Sequence, residues 1–399
     1  MEFHCGSRKL SKRALLTATA VGISGCGSYN PFQTDSEDTQ QAGATSWIMA
    51  GENSKNTSKL DSEIGSQIGD VTWRESVASQ FASPIVTTLR HAIVNTQSKL
   101  LGFEKSDGAI AFSKSLPGGM AAAPAVTENH ILVPRDTYGE GFDSEIDLQS
   151  PTLYALDRDA NRIAWKVTLD GTYLASVAVA DDIYVQSDRE TYRIQSDGTV
   201  MWRQTFDSSF DWRKTLSYLR PAIGPNGVYI GHRDSLVKLD RKSGEVIWTR
   251  SIEKTRFPPV IADDSTVVAS TRRETVGLDP SEGRIRWQAS TPPVWAPASN
   301  EKIAVLSTAR KLLGIKLATG KQQWSRKESL STCPPIIAGD TVFFVPGGTN
   351  LVAVDAETGT RIDKRTTDRI VDWITPDSSG LLTRQSEADG AFLRQYELN

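Results

Sequence analysis

Residues 235–248 read SLVKLDRKSGEVIW, from Ser235 to Trp248. Leu236, Val237 and Leu239 make an apolar strand, Asp240 to Gly244 make a turn, and Val246 and Ile247 begin a second strand that ends on Trp248. Asp, Lys, Ser and Gly are what a tight connection between antiparallel strands uses. Gly244 permits a positive φ that other residues adopt only at a cost. The β-branched pair and the tryptophan supply the packing surface of a strand. A hairpin this small is not stable alone in water, so its burial must come from repetition.

The repetition is there. The first strand and turn recur as KLLGFEKSDG from Lys99, TLYALDRDAN from Thr152, ETYRIQSDG from Glu190, ETVGLDPSEG from Glu274, KLLGIKLATG from Lys311 and NLVAVDAETG from Asn350. Tryptophan marks the following strand at Trp73, Trp165, Trp202, Trp248, Trp287 and Trp324, with Phe112 and Asp363 in two weaker copies. Successive spacings are 39, 53, 37, 46, 39, 37 and 39 residues. A period near 38 suits four short strands per unit. The other two strands also recur. One is marked by proline, as at Ser83-Pro84, Ala123-Pro124, Arg220-Pro221, Pro258-Pro259 and Pro334-Pro335, and it is followed by another such as GVYIG from Gly227 or TVFFV from Thr341. Four antiparallel strands per repeat read as the blade of a β-propeller.

Seven complete units run from Ser83 to about Lys364. An eighth starts at Val371-Asp372-Trp373-Ile374 and stops after Phe392 to Leu398 with no fourth strand. The missing strand is Val71-Thr72-Trp73-Arg74, which has no strand partner before it. Pairing the two removes both open edges, which would otherwise invite aggregation. The expected fold is an all-β, eight-bladed β-propeller of four-stranded antiparallel blades, closed by an N-terminal outer strand in the last blade. Seven blades is the alternative, should the weak final unit not form.

The chain has 399 residues, ten Trp, thirty Gly and no long amphipathic helical pattern, in keeping with an all-β chain that grows by adding units. Its net charge is −3. Without residues 1–25, 41 basic residues face 47 acidic ones, a balance of −6. Such a chain lacks the basic stripe of a nucleic-acid binder. Three cysteines, Cys5, Cys26 and Cys333, give no disulfide framework. Cys333, in the apolar run STCPPII, reads as a buried small hydrophobe.

Residues 1–25 read as an export signal: Arg8, Lys9, Lys12 and Arg13 precede a weakly apolar run from Ala14 to Gly25 that is too short to span a membrane. The run ends Ile23-Ser24-Gly25-Cys26, which resembles a lipobox, the site where a lipoprotein is cleaved and lipidated on its cysteine. Ser11-Lys12-Arg13-Ala14-Leu15-Leu16 resembles a twin-arginine signal with lysine in the first arginine's place, so general and twin-arginine export both stay open. One acyl chain anchors only marginally, so more than one is expected on Cys26. Residues 26–45 then form a polar tether with a mean reach of roughly 20–25 Å. The propeller occupies 46–399. The expected location is the cell surface or the periplasmic side of a membrane.

Trp47, Gly51, Asn56 and Thr57 match the segment that opens many propellers with quinoprotein-type repeats. Leu153-Tyr-Ala-Leu-Asp157 and Ala318-Thr-Gly-Lys-Gln-Gln-Trp324 resemble the repeat itself, so the resemblance covers roughly residues 46–399. It implies that the tryptophans and the Thr-Gly or Ser-Gly turns lock neighbouring blades together, and are structural. The family includes quinone-dependent dehydrogenases, which are longer and carry an adjacent Cys-Cys pair. That pair is missing here, so no PQQ and no other cofactor is expected. The lipobox and the compact length resemble the BamB-like assembly lipoproteins, non-catalytic scaffolds that dock partner proteins.

The two long spacings place the candidate site. Arg135 to Pro151 lies between the second and third strands of blade 2, and Phe206 to Leu219 links blade 3 to blade 4. Connections of these two kinds rise from the same face. Tyr138, Phe142, Asp143, Glu145, Trp212, Arg213, Lys214 and Tyr218 are the candidate binding residues, because aromatics beside charges on extended loops are what an interface uses. Two solvated loops are the plainer reading. Asp143, Glu145 and Asp147 lack the regular ligand pattern of a calcium loop. His4, His91, His130 and His232 are scattered, with no metal-ligand spacing. No phosphate loop or nucleophile elbow is present. The expectation is a monomeric, membrane-anchored, protein-binding propeller without catalytic residues. The alternative is an extracellular enzyme, a hydrolase or a quinone-type dehydrogenase, working at the ring axis.

Overall fold

In the computed structural model, the described residues are 46–399 apart from 63, 78, 80–81, 121, 138–149, 159–161, 172, 207–219, 254, 256, 388–389 and the side chain of 387. They form eight sheets, antiparallel but for one short added strand, and no helix. Each sheet is one blade, and blades 1 to 7 follow in chain order. Their first, axial strands are Val86–Thr87, Ala125–Val126, Ala178–Val179, Ala222–Gly224, Val260–Asp263, Ala298–Ser299 and Ile336–Ala338. Blade 8 contains Ile370–Asp377, Gly380–Glu387 and Gly390–Leu398, and its outermost strand is Ile68–Ser76. Trp73 pairs with Gln395 and Arg74 with Arg394, so the ring closes by joining strands from opposite ends of the chain. Deep between blades 8 and 1, Lys105 Nζ and Asp377 Oδ2 meet at 2.8 Å.

Blade 4 shows how the repeat folds. Gly227–His232, Ser235–Leu239 and Val246–Ser251 follow its axial strand. Leu236, Val237 and Leu239 are buried, whereas Val246 and Ile247 are about half exposed. Burial therefore falls from the third strand to the outer one. Trp248 sits in the middle of its strand and not at its end, because the ladder continues to the pair Ser235–Ser251. Gly244 takes φ +77°, and a Cβ there would stand 2.6 Å from the Trp202 ring of the previous blade. The glycine is thus required twice, by its backbone and by its neighbour.

Hydrophobic contact lies mainly between blades. One cluster joins Ala222, Tyr229 and Leu236 of blade 4 to Ile261, Val267 and Val276 of blade 5. Each outer tryptophan lies against the turn of the next blade. Trp73 Nε1 donates to Lys105 O at 2.8 Å, Trp165 to Ser196 O at 2.8 Å, Trp202 to Arg241 O at 2.9 Å, Trp248 to Pro280 O at 3.3 Å and Trp324 to Ala356 O at 2.9 Å. Trp287 packs on Gly320 in the same way, but its indole N–H has no acceptor among the described residues.

Candidate functional site

The eight candidate binding residues Tyr138, Phe142, Asp143, Glu145, Trp212, Arg213, Lys214 and Tyr218 lie outside the described residues, as does Cys26. The structure shows what anchors the ends of those two segments.

The first leaves the strand His130–Asp136, so Arg135 belongs to a strand and not to a loop. Arg135 is completely buried. Its guanidinium donates to Asn95 Oδ1 at 2.9 Å, Thr96 O at 2.7 Å, Pro117 O and Leu116 O at 3.2 Å, and also to the carbonyls of Gln97 and Gly118. One side chain thereby ties blade 2 to the loops of blade 1. Desolvation lowers its pKa to about 10, which leaves it charged at neutral pH.

The second segment begins after Phe206, whose ring stacks on His232 at 4.6 Å. It ends at Arg220, also buried and lowered to about 9 by desolvation. Arg220 Nε donates to Asn56 Oδ1, and Asn56 Nδ2 donates to Pro259 O at 3.0 Å, Pro221 O at 3.1 Å and Arg220 O at 3.4 Å. The base of this segment is therefore tied to the axis. Farther out, reaching the outer strands, a depression of about 770 Å³ between blades 4 and 5 is lined by Asp234, Glu253, Arg272, Arg273 and Glu274.

The axis holds residues 47–60. This plug threads past the axial strands blade by blade. Thr87 N donates to Trp47 O at 2.7 Å, Val126 N to Ile48 O at 2.9 Å, Ile223 N to Ser54 O at 2.7 Å, Ile261 N to Lys55 O at 2.9 Å, Ser299 N to Thr57 O at 2.7 Å and Ile337 N to Ser58 O at 2.9 Å. Lys59–Leu60 then adds as a parallel strand to blade 7. The physical need is plain: each axial strand is an edge, and its outward N–H groups need acceptors. Following so tight a circle forces positive φ at Gly51, Glu52, Asn56 and Ser58. Three of these are not glycine, a strain of about 1–3 kcal/mol each that only fixed surroundings sustain. Burial raises the Glu52 carboxyl well above its ordinary value of 4.5. Sequence reading recognised the segment as an opening motif but missed this role. The available signal was a run of turn-forming residues, Gly51 to Ser58, directly before the closing strand.

The histidines stay apart. His91 faces Glu104 at 3.3 Å, His130 faces Asp157 at 3.7 Å, and both are lowered by desolvation. Among the described residues no three His, Cys, Asp or Glu side chains gather where they could hold a metal. Cys333 is a free, buried thiol whose pKa is raised by burial.

These features define an eight-bladed propeller with a self-filled axis and two segments rooted in buried arginines. The sequence profile of the family described as "Outer membrane protein assembly factor BamB" matches residues 147–257 and 232–370, more than half of the chain. The chain belongs to that family, and its repeats are of the PQQ-like type. The outer membrane protein assembly factor BamB of Shewanella oneidensis is 24% identical over 267 residues, which cover 60% of this chain and 63% of that protein, just under two thirds of its length. The crystal structure of BamB from Moraxella catarrhalis aligns with a TM-score of 0.63 at 15% identity, over 81% of this chain and 98% of that one. The quinohemoprotein alcohol dehydrogenase of Comamonas testosteroni aligns with a TM-score of 0.68 at 12% identity, over 92% and 83%. At these identities the structural likenesses speak for the fold alone.

Proposed function

We propose that this chain is an exported, lipid-anchored, non-catalytic scaffold that binds a partner protein in outer-membrane protein assembly, the process its relatives are named for. The observation that carries this reading is the plug. Where the enzyme alternative needs an open axial site, the chain's own residues 47–60 bond to the axial strands of six blades. A planar quinone at that level would have to displace them. Cys333, packed with Trp47, Ile336 and Val345, has no second cysteine beside it in the sequence. The residues present do not fit a quinone there, and no cofactor enters the reading.

In this reading residues 1–25 are removed, Cys26 carries the lipid, 26–45 is the tether, and a monomeric propeller starts at 46. Partner binding falls to the face with the segments 138–149 and 207–219, whose described ends are held by Arg135 and Arg220. Rigid roots under aromatic and charged residues reduce the ordering cost of an interface. Deleting 207–219 and repeating a pull-down from solubilised membranes should remove at least one partner; an unchanged set of partners refutes the scaffold surface. Cys26→Ser should release the protein from membranes, and continued membrane association refutes the anchor.

A further inference from the structure

Six axial strands give the plug one equivalent N–H each, from Thr87, Val126, Ile223, Ile261, Ser299 and Ile337. Two blades remain. In blade 8 the equivalent residue is Pro376, which pairs with Leu381 as Ile223 pairs with Val228, and proline has no N–H to satisfy. In blade 3 it is Val179, which pairs with Ile183 as Val126 pairs with Ile131. The next residue, Ala180, donates across its turn to Asp182 O at 2.9 Å, as Thr127 donates to His130 O at 2.8 Å. Alternation along the strand therefore turns the Val179 N–H away from its own ladder. No described residue accepts it.

The plug avoids this blade. Glu52 N donates back to Met49 O at 2.8 Å, and Gly51 takes φ +85°. The chain passes from Ile48 on blade 2 to Ser54 on blade 4. A cavity of about 380 Å³ lies in the gap, within the range of about 300–1,000 Å³ usual for binding clefts. Ile48, Val126, Val179 and Ile183 supply apolar lining, and Glu128 and Arg158 are among its polar residues. Asp181 and Asp182 also line it, and they are paired with Arg241 and Arg193. The lining turns join first to second strands and third to fourth strands, so the cavity opens on the face opposite the one where the strand His130–Asp136 ends.

We propose that this cavity is a peptide-binding site. It takes an extended segment of a partner chain whose backbone carbonyl accepts from Val179 N–H while an apolar side chain rests on Ile48, Val126 and Ile183. The plug shows the mode: backbone carbonyls of a passing segment already accept from the same edge position in six other blades. Asp181 and Asp182 are already paired with Arg241 and Arg193, so the group left to satisfy is the Val179 N–H, and a neutral backbone carbonyl meets it. This site is independent of the loop face and stands or falls without it.

The test uses the full chain and the peptide acetyl-Ser-Trp-Ile-Met-Ala-amide. That probe copies residues 46–50, whose Trp47 and Ile48 carbonyls make this bond in blades 1 and 2. In the free protein the Val179 amide should exchange at least about 100-fold faster than those of Val126 and Ile223, and saturating probe should slow it at least about tenfold. Val179→Pro copies blade 8, removes no ladder bond, and should weaken the probe at least about tenfold with the far-UV spectrum unchanged. Asn129→Trp, which fills the mouth and keeps the Val179 N–H, should do the same. A Val179 amide as slow as that of Val126 in the free protein overturns the proposal, as does unchanged probe affinity in Val179→Pro. Protection in the free chain that disappears with Tyr29→Ala and Phe32→Ala would place the chain's own tether in the cavity and also overturns it.

Discussion

The rim and the axis of this ring solve the same problem by opposite means. Both must join one blade to the next. At the rim the solution is repeated: a tryptophan, a glycine turn and an indole N–H on a carbonyl, as with Trp202, Gly244 and Arg241. At the axis it occurs once, as a single segment that visits six blades in turn. A repeated contact can be lost locally, whereas a threaded one couples distant blades. The rim should tolerate damage to one blade, and damage at the axis or at the closure should be felt around the ring.

The closure gives the largest expected effect. Asp377→Ala leaves the buried Lys105 ammonium unpaired between blades 1 and 8, which should cost about 3–5 kcal/mol in a denaturant titration. A loss below 1 kcal/mol, on the order of an exposed ion pair, would mean that closure rests on the Ile68–Ser76 strand alone.

Asn56→Ala comes next. It removes the acceptor of Arg220 Nε and the donor to the carbonyls of Pro221 and Pro259, and it leaves an alanine at φ +59°. The expected cost is about 2–4 kcal/mol. Hydrogen exchange should rise in blades 4 and 5 together; a change confined to one blade would break the threading picture.

Glu52→Gln should change stability less, and with a pH-dependent sign. Burial raises the folded-state pKa of Glu52 above its ordinary 4.5. Such an acid contributes stability that is fully present below its unfolded value and lost as pH rises through the folded one. The variant should therefore match the parent at low pH and exceed it at neutral pH. Parallel pH–stability curves for the two proteins would remove Glu52 from the account.

The smallest effect lies within the rim. Trp324→Phe loses the bond to Ala356 O, while Trp287→Phe loses none among the described residues. Both lose similar packing, so the first should be more destabilising by about 1 kcal/mol. Equal losses would show that these locks work by packing alone.

Much of the fold was legible. The spacing of Trp165, Trp202, Trp248, Trp287 and Trp324 fixed the unit, and the unpaired strand at Trp73 located the closure, because side chains carry both signals. The length of the outer strand was misread at Trp248, since the ladder runs on to Ser251 through backbone bonds that need no special side chain. The roots of the candidate site were legible only by position. Arg135 and Arg220 stood at the ends of the two long spacings, but nothing in their neighbours announced that both would be buried and charged.

The sequence by itself determined the blade and pointed to eight of them and to the way the ring shuts, because those rest on periodic side-chain chemistry; the structure settled eight over seven. Only the tertiary structure decided what fills the axis and which blade is left with a bare N–H. Every residue carries a carbonyl, so the plug's acceptors at Ser54, Lys55, Thr57 and Ser58 have no side-chain signature. Val179 holds the place of Val126 in its axial strand, on a hairpin turn one residue shorter, and its N–H is left bare where the plug turns aside.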